Sequence, residues 1–154
     1  MIKRFNLLII IFLLLFGVEA VFANYAFYRT VTNTCNSYHI DAQSSEMYFG
    51  KEEANKDKFY ISVTSNRNNF EVALIVGFVS VGQAINHQND MVEKGLIDKP
   101  VIPNTIHVTV NIPMGRDDMI FSASATADQV VKLANGVIDS AEFMRLIKNS
   151  MVTL

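Results

Sequence analysis

Groupings of residues that carry chemistry are what this sequence has least of. Its one cysteine, Cys35, rules out an internal disulfide, so any core must hold without covalent staples. The seven glycines are scattered singly, which excludes a glycine-rich loop cradling phosphate. Gly77-Phe78-Val79-Ser80-Val81-Gly82 approximates the elbow of a serine hydrolase, but it has one residue too many before the serine. Charge of either sign is sparse and nearly balanced, with 13 Lys and Arg against 15 Asp and Glu, and no basic stripe marks a nucleic-acid partner. Blocks of like charge are missing after the N-terminal region, so no charged tail is expected. There is no Asn-X-Ser/Thr acceptor for glycosylation.

The remaining candidates for chemistry are incomplete. Cys35, His39 and Asp41 are ligand types, but no second cluster would complete a metal site, so neither a metal nor a cofactor is expected. A nucleophilic Cys35 assisted by His39 would need a rigid frame, and both lie in a stretch without periodicity. A buried, inert thiol is the simpler reading, with an intermolecular crosslink as the alternative. His87 with Asp90 is a similarly short pair. Asp117 and Asp118 concentrate charge at a turn, where turn chemistry accounts for them. No catalytic residues are assigned.

Hydrophobic residues, by contrast, are concentrated at the start of the chain. Lys3 and Arg4 precede twelve residues without a polar side chain, Leu7 to Val18, and a more polar stretch ends in Val21-Phe22-Ala23. That is the layout of a secretory signal, residues 1–23 being removed. The alternative is an uncleaved anchor over residues 5–28, which is long enough to cross about 30 Å of hydrocarbon. Glu19 speaks against the anchor, because a carboxylate within the bilayer costs on the order of 2 kcal/mol or more. Both readings deliver the rest of the chain outside the cytoplasm. Cleavage leaves 131 residues with 11 cations against 14 anions, enough for one domain with its own core.

After this segment, residues 30–57 are polar and aperiodic and read as a linker, with Met47, Tyr48 and Phe49 as a possible attachment to the core. Residues 58–154 read as a small α+β domain. Phe59, Ile61 and Val63 alternate with polar neighbours, the period of a half-buried strand. Asn68 with Glu71 approximates a capping box that opens a long helix, which ends near Lys94 and Gly95. Within it Ala73, Gly77, Ser80 and Ala84 form a stripe of small residues, and Leu74, Phe78, Val81 and Ile85 a bulky one. The bulky stripe is expected to face the sheet. The small stripe allows a close approach, either by a C-terminal helix of the same chain or by a second copy.

Ile106, Val108, Val110 and Ile112 form the clearest strand, and Met119 to Ala125 a second, joined by a glycine-containing turn as a hairpin. Thr126 with Gln129, and Asp139 with Glu142, open two short helices over 127–134 and 140–149, separated by Asn135-Gly136. The expected fold is therefore α+β, a three-stranded sheet in the order strand-helix-strand-strand-helix-helix, covered by helices on one face. Its other face would carry Tyr60, His107, Thr109 and Asn111, the most site-like set of residues in the chain, although a plain solvated face has the same composition.

Taken together, these features describe an exported domain of the cell envelope or exterior that is not an enzyme and works on a protein partner or as a homo-oligomer. It would touch membrane only through residues 5–28, if they are kept, and would not bind nucleic acid. Two other readings remain open: a small-ligand binder or enzyme centred on His107, and a single-span accessory subunit of a membrane complex.

Overall fold

The computed structural model describes residues 24–153 other than 67, 116 and 117. The signal sequence over 1–23, most of the alternative anchor, and the centre of the turn at Arg116 and Asp117 therefore lie outside the described residues.

The architecture is mixed α+β, with four α-helices and one five-stranded mixed sheet among the described residues. In chain order the elements are α1 (24–37), β1 (Met47–Phe49), β2 (Lys58–Thr64), α2 (Phe70–Glu93), β3 (Thr105–Pro113), β4 (Asp118–Thr126), α3 (Ala127–Ala134), α4 (Ser140–Ile147) and β5 (Val152–Thr153). The sheet follows the order β1-β2-β3-β4-β5, with β2 and β3 parallel and the other neighbours antiparallel. α2 makes the crossover that a parallel pair requires.

The three strands expected from alternation form the centre. Phe59, Ile61 and Val63 of β2, and Ile106, Val108, Val110 and Ile112 of β3, point into the core and are almost fully buried. The expected three-stranded sheet is corrected by two edge strands. β1 has three residues and β5 two, too few for a period of two to be visible in sequence.

The expected linker over 30–57 is corrected as well. Residues 24–37 form a helix whose Phe27, Val31 and Cys35, four apart, are all wholly buried. The Phe27 ring meets Phe59 at 5.1 Å and Phe49 at 5.5 Å. One residue per turn is enough to dock a helix, while the Arg, Thr and Asn residues on its other sides make the segment look aperiodic. The globular unit therefore starts well before residue 58.

α2 runs through the middle of the helical layer. Its start falls one residue later than the Asn68 box implies: Asn69 is the N-cap and makes no side-chain bond there. Its end is as expected, closed by Gly95 in the left-handed region at φ +67. It is the one helix among the described residues long and apolar enough to cross a membrane, and its surface is largely buried against the other elements. The roles of its stripes differ from expectation. Gly77 faces the sheet, where an added Cβ would lie 2.6 Å from Val108 Cγ1, while Phe78 packs edge-on to Phe143 of α4 at 5.1 Å. A second close approach occurs at Gly82, where a Cβ would lie 2.4 Å from the Val130 carbonyl of α3.

The C-terminal helices follow their caps. Thr126 and Gln129 form the reciprocal capping box, and Asp139 accepts from the Glu142 amide at 2.7 Å. Gly136 stops α3 at φ +68. A 3-10 turn, Lys148–Ser150, carries the chain from α4 to the β4 edge.

Candidate functional site

All four helices pack on the face of the sheet that carries Phe59, Ile106 and Val108, directly or through α2, so the opposite face has no helix over it among the described residues. Strand parity decides what this outer face presents. The pairing register places Tyr48, Tyr60, His107 and Ser124 in one row across β1 to β4. Ser62, Thr109, Ser122 and Val152 form the next row across β2 to β5, and Thr64, Asn111 and Ile120 a third.

The first row is a stack of rings. Tyr48 lies 4.9 Å from Tyr60 at an interplanar angle of 14°, and Tyr60 lies 4.8 Å from His107 at 8°. Cross-strand neighbours on one face of a sheet stand close enough for such contact, which fixes each ring by its neighbour. Beyond His107 the row ends in Ser124, whose Oγ lies 2.7 Å from His107 Nδ1. Ser124 is in turn held at the backbone: Ser150 Oγ donates to its carbonyl at 2.8 Å and accepts from its amide at 2.9 Å. In the third row Asn111 Nδ2 donates to Ser62 Oγ at 2.9 Å.

Among the described residues, His107 carries the one buried side-chain nitrogen or oxygen left without a hydrogen-bond partner. Its Nε2 is shielded from solvent and has no partner. Whichever way the proton in the Ser124 contact points, Nε2 remains unpaired, a cost on the order of 1–3 kcal/mol. Burial, and secondarily the Lys58 charge, lower its pKa below the usual histidine value, so the ring is neutral near pH 7. The ring is flanked by Tyr60 and Ser124 rather than by an orienting carboxylate, and the surface is an open sheet.

The structure thus brings Tyr60, His107, Thr109 and Asn111 onto one surface, as parity requires. Sequence reasoning missed Tyr48, because Met47, Tyr48 and Phe49 are all large and do not alternate in polarity. It also missed Ser150 and Val152, which arrive from beyond the last helix.

The other candidate set separates from this surface. Ala73, Gly77, Ser80 and Ala84 are all buried within the chain and do not form an exposed stripe for a second copy. Gly77 meets β3, and Ser80 donates to the Gly77 carbonyl at 2.7 Å. Cys35 is buried. Its thiol is pushed up by that burial, which a hydrogen bond with Ser80 partly offsets. His39 is exposed in the following turn at φ 58, and no cluster of three metal-ligating side chains occurs among the described residues. His87 and Asp90 line a cleft of about 440 Å³ between α1 and α2, together with Thr34, Tyr38 and Asn86.

The fold and its outer face define a class: a two-layer α+β domain with a mixed five-stranded sheet, helices on one side and an aromatic and hydroxyl face on the other. Comparison with protein-family models, with curated proteins and with solved structures finds no match to this chain.

Proposed function

We propose that this chain is an exported, non-enzymatic domain of the cell envelope or exterior that works by binding another protein through the uncovered face of its sheet. One observation supports this most: the ladder Tyr48, Tyr60 and His107 lies on that face, with Tyr48 half exposed. Rigid tyrosine rings supply contact area at a small entropic cost and are enriched where proteins meet. Flatness suits a partner surface better than a small molecule. The described clefts are lined by α1, α2, the loops beside them and the end of β2 at Thr64 rather than by these rings. Export rests on Lys3, Arg4 and the run Leu7 to Val18.

A second reading, a small-ligand site at His107, has its own support in the unpartnered Nε2. A ligand would have to displace the shield around that nitrogen to reach it. In the third, the anchor proposed over residues 5–28 remains as a single span and the domain serves a membrane complex; residues 24–28 belong to α1, with Phe27 in the core, so such a span would have to end ahead of them.

The test expresses the full chain in cells, fractionates them, measures intact mass, and crosslinks the domain to its neighbours with and without Thr109→Lys. The expected result is a chain outside the cytoplasm, crosslinked to a protein in a way that Thr109→Lys abolishes while the fold is kept. Loss of 23 residues excludes the anchor. Full-length protein free in the cytosol refutes the proposal, as does crosslinking that ignores the substitution.

A further inference from the structure

Building on that reading, we infer that the protein bound at the sheet face is a second copy of this chain, forming a two-fold symmetric dimer face to face. Charge is the first argument. The outer face presents Lys58 at one end and, toward the other, Asp118 on β4 and the exposed Asp41 bridged to Thr64 at the β2 edge, while the remaining side chains between them are uncharged aromatics, hydroxyls, an amide, a neutral imidazole and aliphatics. A face of one sign would repel its own copy and select a partner of opposite charge, whereas this face does neither.

The chemistry of the groups is the second argument. An isologous interface must be complementary to itself, since each group meets the same surface turned over. Carboxylates and ammonium groups cannot pair with themselves. Hydroxyls can, because each donates and accepts. Ser62, Thr109, Ser122 and Thr64 supply such groups at the middle of the face, around the positions where a two-fold axis would pass. At the rims, Tyr48 on β1 and Val152 on β5 are about half exposed and give apolar area to bury.

Area sets the strength. Five strands about 4.8 Å apart, of 3, 7, 9, 9 and 2 residues at about 3.3 Å each, give a face on the order of 480 Å² in plan. A standard interface buries about 800 Å² per partner over its rough surface. Even used from rim to rim, the face therefore belongs with the small interfaces of weak, transient complexes rather than with the standard size. A dimer of this kind dissociates on dilution, with a Kd on the order of 1–100 µM, because interfaces of larger area already range down to micromolar affinity.

Light scattering on the full chain, as isolated after expression, tests this across a concentration series from about ten times below to about ten times above that Kd range. The expected mass rises from one copy to two, and Thr109→Lys or Ser122→Lys, placing an ammonium group near the centre, weakens association at least tenfold with unchanged melting. Two variants on neighbouring strands are used because one of them could disturb the sheet. A mass of one copy throughout the series overturns the inference, as does a dimer insensitive to both folded variants. If the chain is a monomer but crosslinks to a different protein in a Thr109-dependent way, the dimer is wrong and the interaction reading stands. If it is a monomer and crosslinks to nothing, both fall.

Discussion

Gly77 of α2 and Val108 of β3 stand so close that no side chain fits between helix and sheet: a Cβ on the glycine would lie 2.6 Å from the valine Cγ1. That spacing fixes how deeply the central helix sits, and with it the burial of Phe78, Val81 and Leu74. Adding a methyl group forces either the valine rotamer or the helix to move. Gly77→Ala is expected to cost about 1–3 kcal/mol, the usual penalty for overpacking. Gly82→Ala should cost more, because its neighbour at 2.4 Å is the Val130 carbonyl, which cannot rotate away. Urea unfolding with an unchanged m-value would measure both, and equal stability of Gly82→Ala and the parent would show that α3 does not cross there.

α1 supplies a sharper check on where the folded unit begins. Phe27 is wholly buried and touches Phe49 and Phe59, so Phe27→Ala should remove about 3–5 kcal/mol of stability. A linker residue would give a change within about 0.5 kcal/mol. Thermal or urea denaturation distinguishes the two outcomes without ambiguity of sign.

These two sites also show what could be read from the residues and what could not. Phe59 to Val63 and Ile106 to Ile112 announce themselves because burial on one face imposes alternation over seven to nine residues. The C-terminal helices are marked by caps, which act locally and so remain visible in sequence. α1 hides because a single apolar residue per turn docks it, and β1 and β5 hide because strands of two or three residues carry no period. The outer face was legible for Tyr60, His107, Thr109 and Asn111 by parity alone. Tyr48 completes the stack only through its pairing with β2, a non-local fact. The small stripe of α2 was recognised, but its partner was not, since spacing does not say which neighbour a glycine admits.

Cys35 should behave as an inert core residue. Burial raises its pKa and closes access, so the thiolate that reacts is scarce. Labelling by a small disulfide reagent is expected to be slow in the native protein and fast in denaturant. Cys35→Ser, which puts a hydroxyl beside Ser80 in an apolar site, should destabilise by about 1–3 kcal/mol. Rapid native labelling would mean that α1 opens readily from the core.

The stacked imidazole makes stability depend on pH. Folding lowers the His107 pKa below 6.5, chiefly by burial and also through Lys58, while Tyr60 and Ser124, the other groups against the ring, bring no compensating negative charge. The unfolded chain therefore takes up the proton first as pH falls. Between the folded pKa and 6.5 the unfolded state binds more protons, so stability rises with pH across that window. The stabilisation is fully present above the unfolded value and is lost as pH falls through the folded one. His107→Phe keeps an aromatic ring for Tyr60 to stack on and removes the orphaned Nε2 but also the Ser124 contact, so the two effects should offset to within about 1 kcal/mol at pH 7 while the slope below 6.5 flattens. Denaturation curves taken at intervals from pH 5 to pH 8 on both proteins would show it. An equal slope in parent and variant would place the acid sensitivity elsewhere and remove His107 as its source.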